Sequence, residues 1–238
     1  MLDYLLDETP IVAQHDAIIA ANVDLRDHLS MINAALDCLS RLPEALRERD
    51  SDELTMLRLS IRCFNSGAAA LRLLRCGYFQ PCLTMVRDLI EVYFLMDLFN
   101  RDRDSLTRWH SSPEKVRKRD FKPVKVRERL DALDGYKDQR RAKAYALLST
   151  YGAHPSPDGF SLISPDNLTQ IGPFPDQTRL RALLEELAQH LAYAADVVVT
   201  FAQEDSGAVA AVAVRYRQAL NHWRKRYLPT EQSHWPGN

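Results

Sequence analysis

Apolar residues recur at steps of three and four over most of the chain. Ile18, Ala21, Leu25, Leu29, Ile32, Leu36 and Leu39 form one such stripe, the spacing that puts side chains on a single helix face. Pro10 suits its start, because a proline in the first turn forfeits no needed hydrogen bond. The stripe predicts a helix ending near Arg41, with Pro43 opening a short second helix to about Arg49. Ser51-Asp-Glu-Leu reads as the next start, a capping residue followed by acids. Leu54, Leu57, Ile61, Phe64, Ala68 and Leu71 carry that helix to Cys76-Gly77, glycine being the usual left-handed stop. Pro81 then opens a helix to about Asn100 that is apolar on nearly every side. Such a helix belongs at the centre of a bundle.

Beyond Asn100 the pattern changes. Ser112-Pro-Glu and Lys122-Pro mark starts of short helices, and a longer helix is expected from about Tyr136 to Tyr151. Pro155, Pro157, Gly159, Pro165, Gly172, Pro173 and Pro175 interrupt the helical signal. The apolar pieces Phe160-Ser-Leu-Ile and Leu168-Thr-Gln-Ile flank Pro165-Asp-Asn, so residues 153–177 read as a Pro-rich loop or a small β-hairpin. A loop of that length in a compact domain is commonly functional. Two more stripes follow: Leu180, Leu184, Leu187, Leu191, Ala194, Val198 and Phe201, then Val209, Val212, Tyr216, Leu220, Trp223 and Tyr227. The fold class is therefore all-α, an antiparallel helical bundle of about five long helices. The chain reads as a single domain: N-terminal helices at 1–50, the bundle core at 51–227 and a loose polar tail at 228–238.

Composition narrows the function classes. Hydrophobic residues make up 46% and charged residues 26% of 238 positions, ordinary for a globular chain, and the net charge of -1 supplies no global field toward nucleic acid or membrane. The charge is unevenly spread: residues 101–143 hold 15 basic and 8 acidic residues, so the remainder is acidic. No apolar stretch is long enough to span a bilayer, and MLDYLLDETP lacks a basic leader region. The expectation is a cytoplasmic protein. Cys38, Cys63, Cys76 and Cys82 form no CxxC and lie in apolar runs, where a thiol packs as a small hydrophobe. A ferritin-like metal site would need Glu-x-x-His on facing helices. Only Glu231 and His234 have that spacing, and they lie in the tail. No metal or other cofactor is expected.

Three places could carry chemistry. Arg87 and Glu91 stand four apart in the most apolar helix, about 40° apart around its axis. A charge there must be paired or reach a cavity. The pair is either a structural tie that fixes register or a site in the bundle interior, Arg87 holding an anion and Glu91 orienting it or acting as base. Ser149-Thr-Tyr151-Gly-Ala-His154-Pro ends a helix and enters the loop. His154 is a candidate general acid or base, with Tyr151 beside it. It is alternatively a packing or capping histidine. Lys115, Arg117, Lys118, Arg119, Lys122, Lys125 and Arg127 lie in a basic stretch that includes Phe121 and follows Trp109. Basic groups with interleaved aromatics can hold single-stranded nucleic acid. The alternative is a solvated face paired with acids.

Leu73-Leu-Arg-Cys-Gly-Tyr closing one helix, Arg87-Asp-Leu-Ile-Glu91 on the next and a distal Tyr151-Gly-Ala-His154 corner together resemble bacterial branches of the HEPN helical superfamily, over about residues 51–200. The resemblance implies a four- or five-helix bundle, often dimeric. It also implies a metal-independent RNase of a toxin–antitoxin or phage-defence system, or a non-catalytic relative that binds nucleotides or a cognate protein. Catalytic members carry Arg, four to six residues, then His. Arg103 with His110, and Arg215 and Arg217 with His222, meet that spacing at a frequency this arginine content produces by chance. His154 has no arginine at that distance. The function expected is thus action on RNA or a nucleotide, with Arg87, Glu91, His154 and Tyr151 lining the site. The alternative is a helical interaction or dimerisation module with a structural Arg–Glu pair.

Overall fold

A computed structural model describes residues 7–45, 50–202 and 207–228. The helices are α1 (Thr9–Ala21), α2 (Val23–Ala45), α3 (Ser51–Arg75), α4 (Phe79–Arg101), α5 (Arg103–Ser111), α6 (Glu114–Asp120), α7 (Pro123–Leu133), α8 (Arg140–Leu148), α9 (Gln177–Phe201) and α10 (Gly207–Tyr227). No strand occurs among the described residues, and no helix there is long and apolar enough to cross a membrane. The buried residues of all the long helices join one hydrophobic cluster.

Five long helices, α2, α3, α4, α9 and α10, build the bundle. α4 is its centre, burying Val86, Leu89, Ile90, Tyr93, Leu98 and Phe99 against its neighbours. Short connections make sequence neighbours antiparallel: Asp52 meets Thr107 beyond the far end of α4, while Arg62 and Ser66 both meet Asp88. α9 breaks that alternation. Tyr93 bonds His190 and Asn100 bonds Val197, so α9 runs parallel to α4. The long segment of short helices between them returns the chain to its starting end, which an all-antiparallel reading does not include.

Several boundaries differ from the periodicity. The first stripe is broken at Asn22, whose backbone is extended and whose side chain accepts from the N–H groups of Asp24 and Leu25 at 2.9 and 3.1 Å. It is the N-cap of α2. α2 does not stop at Arg41; Leu39 and Leu42 stay wholly buried and carry the helix to Ala45. Of the separate helix expected from Pro43, residues 46–49 lie outside the described residues, as does the 229–238 tail. The helix expected over 136–151 starts only at Arg140, after Gln139 in the left-handed region. Its last turn loosens into a π-helical turn at Ser149–Ala153. The hairpin alternative for 153–177 is not what forms. Asp158–Ile163 and Pro165–Asn167 are 3₁₀ turns, and one bond, Gln170 N–H to the Ile163 carbonyl at 2.9 Å, closes the Pro165 turn. Prolines at this density leave too few N–H donors for a ladder.

Two buried histidines fasten the ends of the bundle. His15 receives the Asp176 N–H at Nε2 (3.2 Å) and donates from Nδ1 to the Arg75 carbonyl (2.9 Å), tying α1 and α3 to the cap of α9. His28 accepts the Trp223 indole N–H at Nδ1 (3.0 Å), joining α2 to α10. Each accepts from an N–H and so must be neutral. Burial lowers both pKa values from 6.5 against the upward pull of Asp176 and Asp16 at His15, and of Glu185, Asp24 and Asp27 at His28; Arg226 adds to the lowering at His28. A histidine whose folded pKa is depressed contributes stability above its unfolded pKa and loses it as pH falls through the folded value. The urea midpoint should therefore fall between pH 7.5 and pH 5.5, and His28→Gln should flatten that slope. A midpoint unchanged over this interval would contradict the neutral assignment.

Candidate functional site

Tyr145, Ser149 and Gly152 recur at four and three along α8 and the π turn, so they share one face, and that face lies antiparallel on α4. The Tyr145 hydroxyl meets Glu91 and Arg87, the Ser149 hydroxyl accepts from Arg87 Nε at 3.2 Å, and the Gly152 carbonyl accepts from the Thr84 hydroxyl at 2.7 Å. Gly152 is needed for this approach, since a Cβ there would lie 2.7 Å from Leu83 Cβ and 3.1 Å from its carbonyl carbon.

Arg87 and Glu91 pair with each other at 3.0 Å with side chains 28% and 29% exposed. The pair thus lies at the rim of the bundle beneath α8, not in the interior that the apolar neighbours suggest. The apolar residues beside it turn to the other sides of α4, which are buried. Burial first, then the bond to Glu91, pushes the Tyr145 hydroxyl above its ordinary pKa. A second cation joins the cluster from α7. The Arg127 guanidinium stacks on the Tyr145 ring at 3.8 Å from its centroid, and Arg87 stands over the same ring at 5.0 Å.

His154 is left out of this network. Its N–H bonds the Ser149 carbonyl at 3.0 Å, while its ring is exposed. The antiparallel register explains why: Ser149 lies at Arg87 and Gly152 at Thr84, so the next residues run toward the start of α4, away from Glu91. Tyr151 is half-buried against the core. Tyr145 takes the place beside Arg87 and Glu91 that Tyr151 and His154 were expected to fill. The signal for it is the common face it shares with Ser149 and Gly152.

Much of the basic stretch is answered locally. Lys118 pairs with Glu114 at 2.5 Å, Arg119 with Asp120 and Lys125 with Glu128 both at 2.6 Å. Exposed pairs of this kind contribute little stability, but they do cancel field. Hydrogen bonds from Arg119 and Lys125 hold the Asp120 and Glu128 carboxyls below their ordinary pKa values. Arg117 stands over Trp109 and donates to the Ser112 carbonyl at 3.3 Å, while Lys115 and Lys122 are exposed. Phe121 is buried edge-on against Phe99, and Trp109 packs on that same ring, so these aromatics serve the core. Only Arg127 of the seven turns inward.

Two buried polar groupings escape the sequence reading. At the end of α4, Asp97 bonds Arg101 at 2.9 Å, Arg101 reaches Asp134 at 2.5 Å, and Arg141 binds both Asp134 and Asp131. The Asp97–Arg101 spacing of four was the available signal. The second is Tyr93, whose hydroxyl meets His190 Nδ1 at 3.0 Å, with His190 Nε2 on Glu186 at 2.9 Å. Among the described residues no three His, Cys, Asp or Glu side chains gather as metal ligands. Comparisons with protein-family models, with curated proteins and with solved structures return no match for this chain.

Proposed function

We propose that the protein is a HEPN-like helical bundle that engages RNA or a nucleotide by its phosphate groups at the Arg87 cluster, as a component of a toxin or defence system. The observation that carries this reading is the state of Arg87. Ser149, Tyr145 and Glu91 hold its Nε and Nη2, and Nη1 carries no protein bond among the described residues. A guanidinium that is oriented, partly exposed and left with a donor is suited to a phosphate oxygen. Glu91 and Tyr145 orient it, and binding rather than proton transfer is the role this set supports, because His154 does not reach it. Arg87→Met should weaken binding of a short RNA about 10- to 100-fold, the worth of a charge-assisted hydrogen bond, read by fluorescence anisotropy. Incubation with total RNA tests cleavage separately: if wild type and His154→Ala leave RNA equally intact, the nuclease form of the proposal fails.

One observation favours the second reading, a non-catalytic interaction or dimerisation module. The Arg87–Glu91 pair also ties α8 and the π turn to α4 through Tyr145 and Ser149. A cycle of Arg87→Met and Glu91→Leu with a stability coupling above about 1 kcal/mol, and RNA binding unchanged, would select it. The exposed Phe160, Leu168 and Ile171 of the loop are then where a second copy or a cognate protein would dock.

A further inference from the structure

We infer that Arg127 anchors a phosphoryl-oxyanion site formed with Arg87 across the Tyr145 ring, and that its ligand is a monoanionic phosphodiester. The inference rests on the phosphate reading above and deepens it by naming the anchoring residue and the phosphate class.

Arg127 stands apart from buried Arg141 and half-buried Arg101. Arg141 has Asp131 and Asp134, and Arg101 has Asp97 and Asp134. Arg127 is 9% exposed, yet its Nε and Nη1 have no hydrogen-bond partner among the described residues. Its sequence neighbour Glu128 turns out to Lys125. A desolvated guanidinium with orphan donors is strongly unfavourable and is retained where an anion completes it. Tyr145 supplies only its ring face, which lowers the cost of the charge but accepts none of the N–H groups.

Geometry places the second cation alongside. Arg87 and Arg127 stand 5.0 and 3.8 Å from one ring centroid, which bounds the separation of their guanidinium carbons by the sum of the two. Charge then selects the ligand. Two guanidiniums against the Glu91 carboxylate leave one positive charge in excess, which one negative charge neutralises. An internal phosphodiester carries one, and a terminal phosphate carries nearly two at neutral pH. An oxyanion on the open Nη1 donor of Arg87 leaves Tyr145 and Glu91 in place on Nη2. The Tyr145 ring covers Arg127 from a nine-residue helix whose N-cap Gln139 makes no side-chain bond, and that ring is what must shift for the anion to reach Arg127.

Thermal unfolding of the full chain at fixed ionic strength tests this with three probes: a dinucleoside monophosphate with one internal diester, a nucleoside 5′-monophosphate and inorganic phosphate. A ligand that binds only the folded state raises Tm. The dinucleotide should raise it most, and chloride at equal ionic strength should not. Arg127→Met should raise the ligand-free Tm by about 2–4 °C, because it removes an unpaired buried charge and keeps a chain that packs on the ring. It should also abolish the dinucleotide response, which Arg127→Lys should keep in part. A response that survives Arg127→Met, or no response in wild type, overturns the inference. A response to terminal phosphates without one to the dinucleotide overturns the diester assignment. RNA binding lost in Arg87→Met but untouched in Arg127→Met sinks this site and leaves the function proposed above standing. A dinucleotide response in a protein that binds no RNA does the reverse.

Discussion

Arg141→Leu is expected to destabilise the protein by roughly 3–5 kcal/mol at pH 7, the cost of breaking a buried ion pair by removing one partner. Arg141 and Asp131 are 8% and 10% exposed at their side chains, and Arg141 also holds Asp134, so the substitution strands Asp131 and leaves Asp134 with Arg101 alone, between α7, α8 and the end of α4. The pH dependence has a definite sign. Burial alone would raise the Asp134 pKa, but hydrogen bonds from Arg101 and Arg141 outweigh it and bring the group below 3.8. A depressed carboxylate contributes stability above its unfolded pKa and loses it as pH falls through the folded one. Asp97 behaves oppositely. Burial outweighs Arg101 and raises its pKa, so its contribution is present below 3.8 and lost as pH rises through the folded value. The cost of Arg141→Leu should therefore shrink toward pH 4, where protonation of Asp134 begins to remove the charge that Arg141 answers. Urea denaturation at the two pH values measures it. A loss under about 1 kcal/mol at pH 7 would show that the network behaves as a surface pair.

Gly77→Ala is expected to cost roughly 2–4 kcal/mol: a left-handed residue with a Cβ contributes 1–2, and overpacking supplies the rest. Gly77 has φ 84° and ends α3 in a Schellman arrangement, with the Tyr78 N–H on the Leu73 carbonyl at 2.9 Å and the Gly77 N–H on the Leu74 carbonyl at 3.1 Å. A Cβ would also press into the Phe174 carbonyl, whose residue anchors the Pro-rich loop against Phe79. Gly135→Ala is the internal control. It has φ 70° and nothing within 4 Å of the added carbon, so it should show the conformational cost alone. Equal losses at the two positions would mean that the Phe174 contact yields freely.

Arg87 and Glu91 were legible as a coupled pair because a spacing of four on a helix fixes their adjacency whatever surrounds them. Their depth was not legible, because it depends on which side of α4 receives α8. The same holds for His154 and Tyr145. Both are in or near one helical segment, and only its antiparallel register on α4 sends the first away from Glu91 and brings the second to it. Arg127 reads in the sequence as one of many basic residues. Its burial follows from Val126 and Leu130 packing α7 onto α4, which turns the intervening side chain under Tyr145.

By itself the sequence determined the all-α class, the long apolar stripes, the cap at Gly77, the centrality of α4 and the absence of a long apolar span. These are set by periodicity and by local backbone preference, which act over a few residues. The tertiary structure alone decided that α9 runs parallel to α4, that α2 and α9 are pinned by neutral histidines, and that three charged groups from two helices meet around one tyrosine ring. Those outcomes depend on contacts between residues 18 to 195 positions apart in the chain. No local pattern encodes such contacts, because burial and charge pairing are settled only when the packed helices exclude water.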